Sequence, residues 1–253
     1  MFRDSPQRRR ALAAKPGSAE RYQLFGLDQL AARGFATRHN LERGGPPGWA
    51  RLVGGAMKRA LEAAGGYGGD FATVLASLRT ANRADVVFST VDTVGIPLML
   101  LKRFGRLRPP LVYAAIGLPE RLARLRTRRM RRLYAQALAS CDVVLAYSEK
   151  EVEDIRRWVA AEGGAARVEF VPFGVDVSSF TADGVAATGG VVSVGVDPHR
   201  DFELLLRVAP RMPEVAFRIV TSAEHARALE SRPANVAVEA DLPFDEMRRR
   251  LAE

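Results

Sequence analysis

Cysteine occurs once in this sequence and histidine three times. The lone Cys141 excludes an internal disulfide and any zinc site built from several cysteines. It reads as a small buried residue at the start of a strand. His39, His199 and His225 have no second ligand at metal-binding spacing, so no metal centre is expected. Long apolar runs are also missing. A membrane-spanning helix needs about 20 apolar residues. The longest candidate, residues 94–101, is interrupted by Gly95 and Pro97 and stops at Lys102-Arg103. Near the N-terminus, Arg8-Arg9-Arg10 precede only the short apolar patch at 11–14, too short for a signal peptide. There is no nucleophile elbow with a Ser-His-Asp set and no GxxxxGK[ST] phosphate loop. Asp92, Glu149 and Asp176 are carboxylates of interest, but the sequence does not pair them as a hydrolase would need.

What is present is ordinary for a folded chain: 47% hydrophobic and 26% charged residues over 253 positions, enough for one large domain or two small ones. The stretch from 141 to 206 organises the rest. It reads CDVVLAYSEKEVEDIRRW, then VEFVPFGVDVSSF, then VVSVGVDPHRDFELLL. Residues 142–147 are an apolar strand. Ser148 caps the next helix, with Glu151 three residues on. Residues 168–171 are a second strand, followed by a turn at Phe173-Gly174-Val175-Asp176. A new strand at 191–194 ends in Gly195 and leads to a helix near Arg200.

This order resembles the middle of the GT-B-fold glycosyltransferases, family 4 in particular. The matching elements are Ser148-Glu149, then Pro172-Phe173-Gly174-Val175-Asp176 with Phe180, then Val194-Gly195 with Arg200. The run PGSAERYQLFGLDQLAARGFAT at 16–37 is similar to the family's first strand–turn–helix–strand. The resemblance implies an α/β fold of two Rossmann-like doubly wound domains in the GT-B arrangement. The expected divisions are an acceptor-side domain at 1–177, a linker at 178–190 and a partial nucleotide-sugar domain at 191–253. That last part is small against the roughly 100–150 residues of a common domain. The resemblance therefore implies a fragment ending inside the second domain, without turnover of its own.

The function implied is metal-independent transfer of a hexosyl group, retaining in stereochemistry, from a nucleotide-sugar donor to a glycan or lipid-linked acceptor. The nucleotide-sugar is a co-substrate, and no separate cofactor is implied. Such an enzyme must stabilise a departing diphosphate with backbone N–H groups and cations. The resemblance places this task at Gly195, Val196, His199 and Arg200. The family usually has an arginine directly after the glycine, where this chain has Val196. On the acceptor side it points to Gly17, Ser18, Arg21, Gly117 and Glu149. Ligands of parallel α/β sheets sit beyond the carboxyl ends of the strands, where Thr90, Asp92 and Tyr147 also fall.

The remaining chain alternates helix and strand, which argues a parallel sheet covered on both faces. Strands are predicted at 11–15, 35–41, 85–89 and 110–115, then at 215–220 and 235–238. Helices are predicted at 19–33, 49–64, 71–82, 95–104 and 120–139, then at 202–209, 223–230 and 244–252.

The net charge is +9, and it concentrates between 102 and 132. On a continuous helix at 120–139, Arg121, Arg124, Arg128, Arg131 and Arg132 share one face. A basic amphipathic helix suits an anionic membrane surface. That makes the expected location cytoplasmic, with peripheral attachment to the inner face of the membrane as an option. No basic motif interleaved with aromatics points to specific nucleic-acid binding. Two readings stand: a glycosyltransferase, or a non-catalytic binding protein of the same fold whose basic surface engages membrane or nucleic acid. Val196 and the short second domain favour the latter for this chain.

Overall fold

The computed structural model describes residues 1–253 except 17, 43, 176, 178, 179, 181–185, 187, 188, 198 and 199. The chain divides into two units, Met1–Gly174 and Val175–Glu253.

The first unit opens with a helical cap. α1 (Pro6–Ala13) starts where the Ser5 hydroxyl accepts the Arg8 N–H at 3.3 Å, with Pro6 in the first turn. This overturns the strand expected at 11–15: alanine favours helix, and proline presets the first turn. The helix expected at 19–33 is broken as well. A 3₁₀ turn, Ala19–Leu24, ends at Phe25 and Gly26, both left-handed at φ 48° and 78°. α2 (Leu27–Ala32) follows. Residues 35–39 form no strand. The Asn40 amide instead closes on the Phe2 backbone, accepting its N–H at 2.8 Å and donating to its carbonyl at 2.9 Å. Phe2, Ala11, Leu24 and Leu41 form a satellite core.

From residue 48 to 114 the expected order of helices and strands is observed. α3 (Gly48–Ala63) and α4 (Phe71–Ala81) precede β1 (Val87–Ser89). α5 (Asp92–Arg103) starts three residues earlier than expected and carries Pro97 inside it. Proline lacks the N–H that would bond the carbonyl of Thr93. The Asp70 N–H takes that carbonyl at 2.7 Å, while the Asp70 carboxylate caps α4 through the Thr73 N–H at 3.0 Å. β2 (Leu111–Ala114) follows.

The helix expected at 120–139 is two helices, α6 (Leu118–Ala123) and α7 (Arg128–Ala139). Thr127 interrupts them. Its hydroxyl accepts the Met130 N–H at 3.3 Å and donates to the Ala64 carbonyl at 3.0 Å. β3 (Val143–Ala146), α8 (Glu149–Ala161) and β4 (Val168–Phe170) complete the unit. Ser148 caps α8 as expected, and Glu151 reaches back to the Tyr147 N–H at 3.2 Å.

The four strands run parallel in the order β1-β2-β3-β4. The Met1 backbone lies along the outer edge of β1: its amino group donates to the Phe88 carbonyl at 2.6 Å, and its carbonyl accepts the Thr90 N–H at 3.2 Å. α5 is buried from Val94 to Leu101, so the apolar run noted above is a core helix. Among the described residues no helix is long and apolar enough to cross a membrane. Cys141 is buried, and burial pushes its thiol up to about 12. As the only thiol in the chain, it reports on opening of the first unit.

In the second unit β5 (Val191–Val194), α9 (Phe202–Val208), β6 (Phe217–Thr221), α10 (Ala223–Ala228), β7 (Val236–Ala240) and α11 (Phe244–Ala252) alternate. The sheet is parallel in the order β5-β6-β7. Its core is smaller: Phe202, Ala209, Phe217, Ile219, Leu229 and Val236.

Candidate functional site

In the first unit the carboxyl edge of the sheet carries a buried charged cluster. Asp92 begins α5 directly after β1 and is 1% exposed. Its Oδ1 accepts the Tyr113 hydroxyl at 2.6 Å and the Ile116 N–H at 3.0 Å. Its Oδ2 accepts the Arg121 Nε–H at 2.7 Å. Burial raises the Asp92 carboxyl above the usual range, and these three donors only partly offset it. Burial, and then the Asp92 charge, push the Tyr113 phenol well above its usual value. The Arg121 guanidinium stacks on Tyr67 with its carbon 4.2 Å from the ring centroid. Gly117 turns left-handed at φ 75°. A Cβ there would lie 3.7 Å from a Glu120 carboxylate oxygen and 3.9 Å from Asp92 Oδ2. Gly117, Glu120, Arg121 and Asp92 therefore meet at one place.

The other acceptor-side candidates lie elsewhere. Gly17 is outside the described residues, as are His199 and Asp176. Ser18 caps the 3₁₀ turn through the Glu20 N–H at 3.3 Å. Arg21 grips both oxygens of Asp28 at 2.5 Å and donates to the carbonyls of Ala11, Leu12 and Ala14. All its nitrogens serve the N-terminal cap. Glu149 is exposed at the start of α8, lining a groove with Glu153, Arg156 and Phe170.

The proposed membrane face also changes. The break at Thr127 puts Arg121 on α6, with Arg124 as its C-cap, and Arg128, Arg131 and Arg132 on α7. Arg121 points into the Asp92 cluster. Arg131 pairs with Glu162 at 2.6 Å and stacks on Trp158 at 5.3 Å. Of the five, Arg124, Arg128 and Arg132 are exposed.

In the second unit β5 ends at Val194, and Gly195 follows it. The Gly195 N–H donates to the Val220 carbonyl at 3.0 Å, and its carbonyl accepts the Thr221 hydroxyl at 2.8 Å. A Cβ on Gly195 would lie 2.7 Å from Arg200 Nε and 3.0 Å from its guanidinium carbon. The missing side chain is thus what lets Arg200 fold against the strand end. Val196 is 64% exposed. Arg200 precedes the helix rather than opening it: α9 begins at Phe202, and its N-cap is Asp201, which accepts the Leu204 N–H at 2.9 Å. Thr221 also meets His225, hydroxyl to Nδ1, at 3.3 Å. Both clusters sit at the carboxyl edge of a parallel sheet, where α/β folds bind ligands.

Sequence reading named Asp92 as a strand-end carboxylate but missed Tyr67 and Tyr113. A tyrosine inside the otherwise apolar PLVYAA strand, opposite an aspartate that follows another strand, was the available signal.

Residues 17–174 match the family described as Glycosyl transferase 4-like domain. The fold resembles that of Anabaena HepE, solved in complex with UDP and glucose, with a TM-score of 0.51 and 18% identity over 71% of this chain and 53% of that one. A second structure, the spinosyn rhamnosyltransferase SpnG, aligns at a TM-score of 0.38 and 16% identity over 78% of this chain and 52% of that one. No curated protein matches. The chain spans about half the length of these solved structures.

Proposed function

Because the chain belongs to the Glycosyl transferase 4-like family, we infer that it serves sugar transfer from a nucleotide-sugar donor. The second unit meets the donor diphosphate at Gly195, Val196 and Arg200, and the first unit faces a glycan or lipid-linked acceptor. The observation that carries this is the Arg200 guanidinium folded onto Gly195. A cation held at a strand end, beside a backbone without a Cβ, is what a diphosphate leaving group needs. No metal is invoked: the cation neutralises the charge that grows on the leaving group.

Binding of UDP to the whole chain tests this. Arg200→Ala is expected to weaken UDP by about tenfold, the scale of one charge-assisted contact. Gly195→Ala displaces only the tip of a flexible arginine. It is expected to leave stability nearly unchanged while weakening UDP similarly. Unaltered UDP affinity in both variants, measured by calorimetry, would place the donor elsewhere.

The exposed Val196, and the Asp201 carboxylate on the helix start, favour a second reading, a binding protein without turnover. Under that reading the chain binds no nucleoside diphosphate. The basic surface bears on both readings. We propose that Arg124, Arg128 and Arg132 meet an anionic bilayer, each adding about 1 kcal/mol. Reversing all three to glutamate is expected to cut co-sedimentation with anionic vesicles by about a hundredfold. Added salt should weaken wild-type binding. Equal sedimentation of the variant would mean these arginines are merely solvated.

A further inference from the structure

Arg21 and Arg121 are both ion-paired arginines, yet they are built differently. Arg21 spends every nitrogen on protein partners, taking both oxygens of Asp28 and three carbonyls. That is how an arginine stitches a fold together. Arg121 gives only its Nε–H to Asp92. The second Asp92 oxygen is turned away, holding the Tyr113 hydroxyl and the Ile116 N–H. Among the described residues, the two terminal amino groups of Arg121 have no hydrogen-bond partner. One third of its side chain is exposed, so those groups are within reach of solvent.

The guanidinium is also fixed in plane. Its face lies on Tyr67. The Tyr67 backbone is itself clamped by the buried Tyr134, which accepts the Tyr67 N–H at 2.9 Å and donates to its carbonyl at 2.5 Å. An arginine normally loses much rotamer freedom when ordered. Here that loss is sustained while, among the described residues, four of the five N–H donors stay unused. A flat, prepositioned edge of N–H groups matches the geometry of an oxyanion.

We propose that Arg121 is the oxyanion-binding residue of an acceptor subsite, and that the acceptor carries a phosphate beside free hydroxyl groups. The word acceptor rests on the transferase reading above; the subsite itself does not. The hydroxyl requirement comes from Glu120. Its carboxylate lies beside Gly117, where a Cβ would be 3.7 Å from it. It repels a bare anion but accepts hydrogen bonds from a polyol. Asp92 and Tyr67 are positioning residues: they hold the guanidinium and do not touch the ligand.

The test is a nuclear magnetic resonance titration of the whole chain with glycerol 1-phosphate, following the Arg121 Nε–H and the Ile116 and Gly117 amides. Saturable shifts at these groups, in the millimolar range, are expected. Glycerol should give none, and inorganic phosphate should bind more weakly. Arg121→Lys keeps a cation beside Asp92 but loses the flat edge, and should bind about tenfold more weakly. Tyr67→Leu should weaken binding several-fold, and Cys141 protection will show that both variants are folded. Displacement of glycerol 1-phosphate by phosphatidylglycerol vesicles assigns the phosphate to a lipid headgroup; no displacement assigns it to a soluble compound. Absent shifts in the wild type, or undiminished binding in Arg121→Lys, would overturn the proposal. UDP separates the two readings. If UDP binds and glycerol 1-phosphate does not, the subsite fails and the transferase reading stands. The reverse result retains the subsite and removes the donor site.

Discussion

Replacing Asp92 by alanine is expected to destabilise the first unit by about 2–4 kcal/mol. The carboxylate is the common acceptor for the Tyr113 hydroxyl, the Ile116 N–H and the Arg121 Nε–H. Alanine leaves all three without it. The tyrosine hydroxyl suffers most, since Tyr113 is fully buried. Arg121 loses less, because part of it can turn to water. Removing the carboxylate also relieves its own desolvation cost, which keeps the expected loss below the top of the range for a broken buried pair.

The pH dependence has a definite sign. Folding raises the Asp92 pKa, so the folded state binds the proton more tightly than the unfolded one. Its contribution is fully present in acid and is lost as pH rises through the raised value. Asp92→Asn does not titrate. The deficit of Asp92→Asn relative to wild type should therefore be larger at pH 4 than at pH 7, and Asp92→Ala should be worse than Asp92→Asn at pH 7. Urea titrations followed by tryptophan fluorescence check this in the first unit alone, where both tryptophans, Trp49 and Trp158, lie. A deficit that grows with pH would mean the hydrogen bonds outweigh burial at Asp92.

What could be read from the sequence depended on how local its cause was. From residue 48 onward, caps and apolar runs act within a few residues. Asp70, Ser148 and the DVVFS, PLVYAA and DVVLAY segments were legible for that reason. The N-terminal cap was not, because distant contacts shape it: Asn40 closes on Phe2, and the Met1 backbone borders β1. The basic helix misled for a related reason. A helical wheel assumes one unbroken helix, and the Thr127 cap resets the phase. Arg121 then looks like a surface charge when it is part of the Asp92 cluster. Tyr67 and Tyr113 join that cluster from 54 and 8 positions away from Arg121 (121 − 67 and 121 − 113), which no spacing rule reveals. Gly195 and Arg200 were named together through the resemblance, and they do touch. The Asp201 cap that separates Arg200 from the helix was not foreseen.

Replacing Gly95 by alanine is expected to destabilise the first unit by about 1–2 kcal/mol, although alanine is the better helix former. Propensity alone favours alanine by about 0.8–1 kcal/mol in a helix interior. Packing opposes it. A Cβ on Gly95 would lie 2.2, 2.4 and 2.8 Å from three atoms of the Tyr113 ring. Overpacking of this kind costs typically about 1–3 kcal/mol and occasionally more. The ring cannot swing aside cheaply. Tyr113 sits in β2, paired with Ser89 on one side and Val144 on the other, and its hydroxyl is tied to Asp92. Gly55→Ala, in α3, is the matched control, since a Cβ there meets nothing within 4 Å. It should stabilise by roughly 0.5–1 kcal/mol through propensity. The clash also predicts a coupling. In Gly95→Ala/Tyr113→Leu the smaller side chain makes room, so the double variant should lose less than the sum of the two single losses. A double-mutant cycle by urea unfolding measures that difference. Strict additivity would show that α5 shifts as a body and that Tyr113 is not what Gly95 accommodates.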